Sequence, residues 1–212
     1  MNSQIPFYRQ PVIDVIARNT LNSFDWRILR GAPRATPIES IIETLGLAID
    51  HQYLRKNDRV LGETVFENAE IPVYDAVNRC YTTIFVKAGT ILVDAHLLDQ
   101  GNEGRLRYTL GHELAHWILH KKLFIGMDCM AAMVNAPMRE NYTLSSETGR
   151  DIERQADMLA TALLMPIVKV KQAFYALRGS GMDTEAMVGN LAGVFQVSRQ
   201  AMRIRLERHN LI

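Results

Sequence analysis

The sequence predicts an α+β protein in which a small, mainly antiparallel sheet packs on helices and the C-terminal part is helical. Short β-favouring runs are confined to residues 48–94, and helical periodicity dominates after Asn102. Runs of strands followed by runs of helices are typical of the α+β class. Of the 212 residues, 48% are hydrophobic and 22% are charged, which is the composition of a packed globular protein.

An N-terminal helical segment is predicted over residues 1–35, and a further helix is predicted directly after it. Within that segment, residues 12–30 favour a helix. A second helix is expected to begin at Thr36, whose side chain would cap it while Glu39 closes a capping box. Gly46 is the expected left-handed terminator of this second helix.

Four β-favouring runs make up the predicted sheet, and turn-prone pairs separate them. The runs are residues 60–66, 71–74, 81–86 and 90–94. Extended peptides commonly pair with the edge of a sheet, and we expect the last run to supply such an edge.

A metal site is predicted on the helix expected over residues 103–120. His112 and His116 lie about 40° apart around such a helix, so both imidazoles project from one face and can share one cation. With Glu113 beside them, they form the pattern of zinc-dependent peptidases in which the glutamate is the general base. The opposite side of the helix is apolar and is expected to face the core.

A catalytic zinc site normally has three protein ligands, so a third ligand is required. His120 is excluded, because its Cα lies about 12 Å from that of His112 along the helix. Glu153 is the favoured ligand. It lies on a further predicted helix with an apolar stripe over residues 152–164.

Other acidic residues surround Glu153. Asp157 follows one turn later, where it can accept a hydrogen bond from a ligand imidazole. Glu147, Asp151 and Asp157 are the alternative third ligands. A solvated helix face is the alternative explanation for Glu153 and Asp157.

Peptide hydrolysis needs a proton carrier and a group that stabilises the tetrahedral intermediate. Glu113 is expected to take a proton from water and to pass it to the leaving amine. The candidates for the stabilising group are Tyr108, His120, Arg139 and Tyr142.

The overall charge excludes a global electrostatic attraction to nucleic acid or to anionic membranes. Lys and Arg number 24 against 23 Asp and Glu, for a net charge of +1. The first residues lack the pattern of a secretory signal, and no run approaches the roughly 20 apolar residues of a membrane span. We therefore expect a cytoplasmic protein.

The C-terminal residues 191–202 resemble a helix-turn-helix, with Ser198 as the cap of the second helix. DNA contact through these helices is therefore a rival function. Four arginines could meet phosphates, although spaced arginines also occur on solvated faces. They are Arg199, Arg203, Arg205 and Arg208.

The chain resembles the ImmA/IrrE group of metallopeptidases from about Thr36 to its C-terminus. The most similar segments are residues 107–120, which contain HELAHWILH, and residues 153–166, ERQADMLATALLMP. Residues 61–66 (LGETVF) and 89–94 (GTILVD) are similar as well.

The resemblance implies a zincin-like metallopeptidase core over residues 36–170 and a helical extension packed on it over residues 171–212. It aligns His112 and His116 with the family's metal-binding histidines, Glu113 with its catalytic glutamate, and Glu153 with its third ligand. It also implies zinc, with manganese as the alternative metal, and a helix-turn-helix repressor as the substrate. The alternative is a DNA-binding or repressor-sequestering regulator with a structural metal site.

Overall fold

The computed structural model describes residues 7–56, 60–125, 146–179 and 181–212. Within these residues helices come first, strands follow, and helices return, which confirms the α+β class. The strands are β1 (Ala48–Gln52), β2 (Gly62–Val65), β3 (Ala69–Asp75), β4 (Cys80–Val86) and β5 (Thr90–Asp94). The helices are α1 (Gln10–Asp25), α2 (Arg27–Arg30), α3 (Ile38–Thr44), α4 (His96–Asp99), α5 (Glu103–Phe124), α6 (Ser146–Leu164), α7 (Ile167–Arg178), α8 (Thr184–Phe195) and α9 (Arg199–Arg208).

Three strands form a mixed sheet in the order β1-β5-β2. β5 runs parallel to β1 and antiparallel to β2, and all of its residues are buried. β3 and β4 form a separate antiparallel hairpin. The prediction that residues 90–94 offer a sheet edge is therefore wrong, because β5 is paired on both sides. Within the described residues, the outer strands of this sheet are β1 and β2.

The residues of β2 alternate between two faces, as the period of a strand requires. Gly62 and Thr64 face α5, where the Thr64 hydroxyl hydrogen-bonds Glu113. Val65 packs in an apolar cluster with residues of the β3–β4 hairpin, and Glu63 shares that side of the strand. β2 thus connects the hairpin to the long helix α5.

α5 lies between the mixed sheet and α6, and it contacts β2, β5 and α6. Its apolar residues Leu110 and Leu114 are buried, and so are the polar residues Glu113, His116 and His120. Both sides of this helix are therefore covered, which buries these polar side chains inside the protein.

The start of α3 differs from the prediction. The helix begins at Ile38, and no side chain caps its N-terminus. The Thr36 hydroxyl instead donates a hydrogen bond of 2.8 Å to the carbonyl oxygen of Leu163 on α6, and Thr36 is buried. A tertiary partner has replaced the local cap. Gly46 has a φ of 75° directly after the helix, as expected.

α8 and α9 form the expected helix-turn-helix-like pair. Gln196 ends α8 in the left-handed conformation with a φ of 52°. The Ser198 side chain accepts a hydrogen bond of 3.1 Å from the backbone N–H of Ala201 and caps α9, as predicted.

Arg205 contradicts the expectation that it meets phosphates. It is 1% exposed, and its guanidinium donates to Asp14 of α1 and to the carbonyl oxygen of Met165, each at 3.2 Å. This arginine therefore ties α9 to the rest of the protein.

One apolar cluster contains side chains from each of the three predicted segments, for example Leu21, Leu114 and Leu206. The proposed boundaries near residues 35 and 170 stay a prediction. In the described part of the chain, no helix has the length and hydropathy needed to cross a bilayer.

Candidate metal centre

Two histidines of α5 present their Nε2 atoms to the same point. The Asn102 side chain caps α5 by accepting a hydrogen bond of 3.1 Å from the N–H of Arg105, and the regular helix then places His112 one turn before His116. Their Nε2 atoms are 2.9 Å apart. Such a close approach of two imidazole nitrogens suits a pair that shares one cation.

α6 packs along α5 and brings Glu153 to this pair. Glu153 Oε2 is 3.2 Å from Nε2 of His112, and Oε1 is 3.5 Å from Nε2 of His116. A tetrahedral ion with ligands at 2.0–2.1 Å has ligand–ligand separations of about 3.3 Å. Two imidazoles and one carboxylate at these distances therefore fit a divalent metal ion, and they could hold one.

The rival acids occupy other positions. Asp157 contacts the far ring nitrogen of His112 rather than Nε2. Asp151 is not part of the group formed by His112, His116 and Glu153 among the described residues. The side chain of Glu147 lies outside the described residues.

Asp157 orients the first histidine. Its Oδ1 is 3.0 Å from Nδ1 of His112 and accepts a hydrogen bond of 2.8 Å from the Tyr108 hydroxyl. With Nδ1–H donating to Asp157, Nε2 is the nitrogen of His112 that faces Glu153 and His116.

The hydrogen bonds in this group raise the pKa of His112 and lower the pKa of Glu153. Burial lowers the pKa of His112, but hydrogen bonds to Asp157 and Glu153 outweigh it and raise that pKa to about 10. Burial raises the pKa of Glu153, but the hydrogen bonds from both histidines bring it well below its ordinary value. Because a ligand imidazole must be neutral, a metal ion that binds these donors would displace a proton from His112.

His120 contacts His116 on the side of the ring away from Glu153. Its Nδ1 is 3.2 Å from Nδ1 of His116, and its Nε2 is buried without a hydrogen-bond partner in the described structure. Burial, together with the neighbouring His116, lowers the pKa of His120 to about 3. A neutral His120 can accept the Nδ1–H of His116, which leaves Nε2 as the nitrogen that faces Glu153.

Glu113 lies on the side of α5 that faces β2 and is 4% exposed. Its Oε2 is 2.7 Å from the Thr64 hydroxyl, which also lies 2.9 Å from the Glu113 carbonyl oxygen. A Cβ at Gly62 would lie 2.7 Å from Cγ2 of Thr109 and 2.9 Å from Cγ of Glu113. Only glycine allows the strand to approach the helix this closely.

Glu63, which lies on β2, is a second buried acid near the site. Burial raises its pKa to about 7, although Arg55 opposes this effect, and the charge of Glu113 adds to it. The alternation of the strand separates Glu63 from Thr64, so the two residues serve opposite sides of β2.

Sequence reasoning missed the contacts of Thr64, Gly62 and His120. The alternation of residues 62–65 predicts that Gly62 and Thr64 share one face of the strand. Residue spacing alone does not show that this face packs against α5. Of the candidates for stabilising the intermediate, Tyr108 hydrogen-bonds Asp157, and His120 contacts His116. The other two candidates, Arg139 and Tyr142, lie outside the described residues.

One family model matches most of the chain. The family model Peptidase_M78, described as the IrrE N-terminal-like domain, matches residues 69–207, about two thirds of the chain. No curated protein matches the chain. The match includes α5 and α6 with all three donor residues and begins after β2. The chain therefore belongs to the Peptidase_M78 family and combines a zincin-like metallopeptidase core with a helical C-terminus.

Proposed function

We propose that this protein is a zinc-dependent endopeptidase that cuts a peptide bond in one specific protein, a helix-turn-helix transcriptional repressor in the cytoplasm. The observation that carries the proposal is the convergence of His112, His116 and Glu153. The buried carboxylate of Glu113, the next residue after His112, is close enough to help raise the pKa of His112. Family membership supports a protein substrate.

The ligands in this proposal are His112, His116 and Glu153. Zinc suits two imidazoles and one carboxylate, and manganese is the alternative ion for a set that contains oxygen. When bound by these residues, a metal would supply Lewis acidity, which would acidify a water molecule and polarise the scissile carbonyl. Asp157 and His120 hold the two imidazoles in the tautomer that leaves Nε2 free for the metal.

Glu113 is the proposed general base. It is the neighbour of His112 in α5 but points to β2, so it lies beside the donor group without belonging to it. Its carboxylate takes a proton from the attacking water and delivers it to the leaving amine. The Thr64 hydrogen bond fixes the orientation of that carboxylate.

The substrate backbone is proposed to pair with β2. β2 is one of the two outer strands of the mixed sheet in the described part of the chain, and its Gly62 and Thr64 lie against Glu113. An extended segment that adds to this edge by backbone hydrogen bonds would run next to the metal centre.

The experiment is metal analysis of the purified protein, together with incubation of the protein with a repressor encoded beside its gene. Glu113→Gln should keep the metal and lose cleavage, and Glu153→Ala should lose much of the metal. Glu39→Gln, an exposed glutamate on α3, is the matched control and should behave like the unchanged protein. Cleavage by the Glu113→Gln variant would refute the assignment of the base.

The rival functions give different results in the same samples. A repressor-sequestering protein would bind the repressor but leave it intact. A DNA-binding protein would shift its own promoter DNA in a mobility assay. The helix pair offers fewer free arginines for DNA than expected, because Arg205 is buried and Arg203 is paired with Glu185.

A further inference from the structure

A cleft of about 1360 Å³ separates the peptidase helices from the C-terminal pair. One wall is formed by the first turns of α5 and by the middle of α6, and the other by α8 and α9. Residues 7–10 close one end. Asp157 and Tyr108 line the cleft as well, so it borders the metal centre.

The charged residues that line this cleft are mainly arginines. The acids among them are Glu103 and Asp157, and no lysine is present. Among the described residues, five of the lining arginines have no carboxylate within 4.0 Å. They are Arg9, Arg105, Arg154, Arg199 and Arg208. In a chain whose net charge is +1, this is a concentrated positive surface that lacks its counter-charges.

The arginines are spread along the cleft rather than gathered at one point. Arg199 and Arg208 begin and end α9, which separates their backbones by about 13 Å, and Arg105 lies on the opposite wall. The cleft is also larger than the roughly 300–1,000 Å³ of small-molecule pockets. A single phosphate or a small metabolite would leave most of these cations without a partner.

The remaining lining combines uncharged polar residues with apolar and small ones. Met158, Met165, Val197 and Ile204 supply apolar surface, and Gly189, Ala192 and Gly193 leave the α8 wall without large side chains. A ligand that fits this lining has an apolar face as well as negative charges. An amphipathic acidic protein segment has both.

We infer that this arginine cleft is a docking site for an acidic amphipathic segment of the protein substrate, outside the segment that is cut. The inference rests on the proposed peptidase function, which supplies the protein substrate. Duplex DNA is disfavoured by shape, because a recognition helix must project into a groove about 8.5 Å deep, whereas α9 forms the wall of a concavity. Docking here would hold a substrate beside the metal centre.

The test uses two fluorescein-labelled peptides of about 16 residues, long enough to form helix. One carries glutamate on its polar face and leucine on its apolar face, and the other has lysine in place of glutamate. Binding is measured by fluorescence anisotropy with the full-length Glu113→Gln protein, so that neither peptide is cut. The acidic peptide should bind, and the lysine peptide should not.

Two double variants with equal changes in net charge separate the cleft from the rest of the surface. Arg199→Glu with Arg208→Glu should weaken binding of the acidic peptide about tenfold. Arg18→Glu with Arg178→Glu changes exposed arginines outside the cleft and should leave binding unchanged. Arg105→Glu, on the opposite wall, gives an independent loss if the α9 variant fails to fold.

Equal loss in both double variants, or no binding of the acidic peptide, would overturn the inference. Arginine-dependent binding of a short DNA duplex in place of the peptide would overturn it as well. Repressor cleavage by the unchanged protein is measured separately. Cleavage without peptide binding refutes the docking site alone, whereas peptide binding without any cleavage refutes the proposed function and leaves the acidic-segment site standing.

Discussion

The Thr64 hydroxyl on β2 lies 2.7 Å from Oε2 of Glu113 on α5. This contact joins the strand at the end of the mixed sheet to the residue beside the metal ligands. It exists because Gly62, two residues earlier, lets the strand approach the helix closely. The same strand that is proposed to receive the substrate therefore positions the proposed base.

Thr64→Val should lower kcat about tenfold with little change in KM, because a hydrogen bond to a charged group contributes roughly 1.5–3 kcal/mol. Valine has nearly the same shape as threonine, so the fold and the metal content should stay unchanged. Thr64→Ser, which keeps the hydroxyl, should restore most of the rate. The measurement is steady-state cleavage together with metal analysis, and an unchanged kcat in the valine variant would contradict the positioning role.

His120→Leu should weaken zinc binding about tenfold to a hundredfold, because residues that orient a ligand histidine have effects of this size. His120→Asn should rescue much of the affinity, since its amide oxygen can accept the Nδ1–H of His116. The measurement is competition with a chromophoric zinc chelator.

Thermal unfolding of the metal-free His120 variants serves as the control. Leucine removes the unpartnered Nε2 of His120 but also the acceptor of the His116 Nδ1–H, so the metal-free leucine variant should unfold at a lower temperature than the metal-free asparagine variant. A leucine variant with normal zinc affinity would show that His120 has no positioning role.

Zinc binding should release a proton. The pKa of His112 in the metal-free protein is about 10, so the imidazole is protonated at neutral pH, whereas a metal ligand must be neutral. The apparent affinity should therefore rise about tenfold for each unit of pH between about 7.5 and 9. Calorimetric titrations in two buffers of different ionisation enthalpy measure the number of protons released.

Asp157→Asn is the control for that experiment, because the Asp157 hydrogen bond is one of the causes that raise the pKa of His112. The variant should release less of the proton at pH values near 9. Zinc affinity that is independent of pH in the unchanged protein would exclude a protonated His112.

Glu63→Gln should stabilise the protein above neutral pH. The folded protein holds the Glu63 proton up to a pKa of about 7, whereas the unfolded chain releases it near 4.5. The folded state thus binds more protons between these values, so stability falls as pH rises through this range, by up to about 3 kcal/mol. Glutamine should remove this loss, as measured by denaturant unfolding at pH values near 5 and 8.

The control is Glu70→Gln, which changes an exposed glutamate on β3, the next strand along the chain, and should not change the pH dependence. If the Glu63→Gln variant lost stability between pH 5 and 8 as steeply as the unchanged protein, Glu63 would not be the group responsible.

Local patterns predicted the parts of the site that lie on single helices. The spacing of His112 and His116 and the apolar stripe of α6 need only the helical repeat, and Ser198 caps α9 within its own turn. Thr36 was assigned to a cap because its actual partner, Leu163, is 127 residues away.

The contacts between distant segments could not be predicted in the same way. β1 is not among the predicted runs, because it is only partly buried and its pairing with β5 spans about 40 residues. Together with the pairing of β2, it makes β5 a central strand and leaves β1 and β2 as the outer strands of the described sheet. The cleft could not be predicted either, because its lining comes from four segments that are distant from one another in the sequence.

Asp157 is part of two sites. Its carboxylate accepts a hydrogen bond from His112, and the residue also lines the arginine cleft. A ligand in the cleft that shifts this carboxylate would alter zinc affinity by some factor, and thermodynamic reciprocity requires zinc to alter the affinity of that ligand by the same factor. Loading the metal and recruiting the substrate would then be linked equilibria that meet at one oxygen atom.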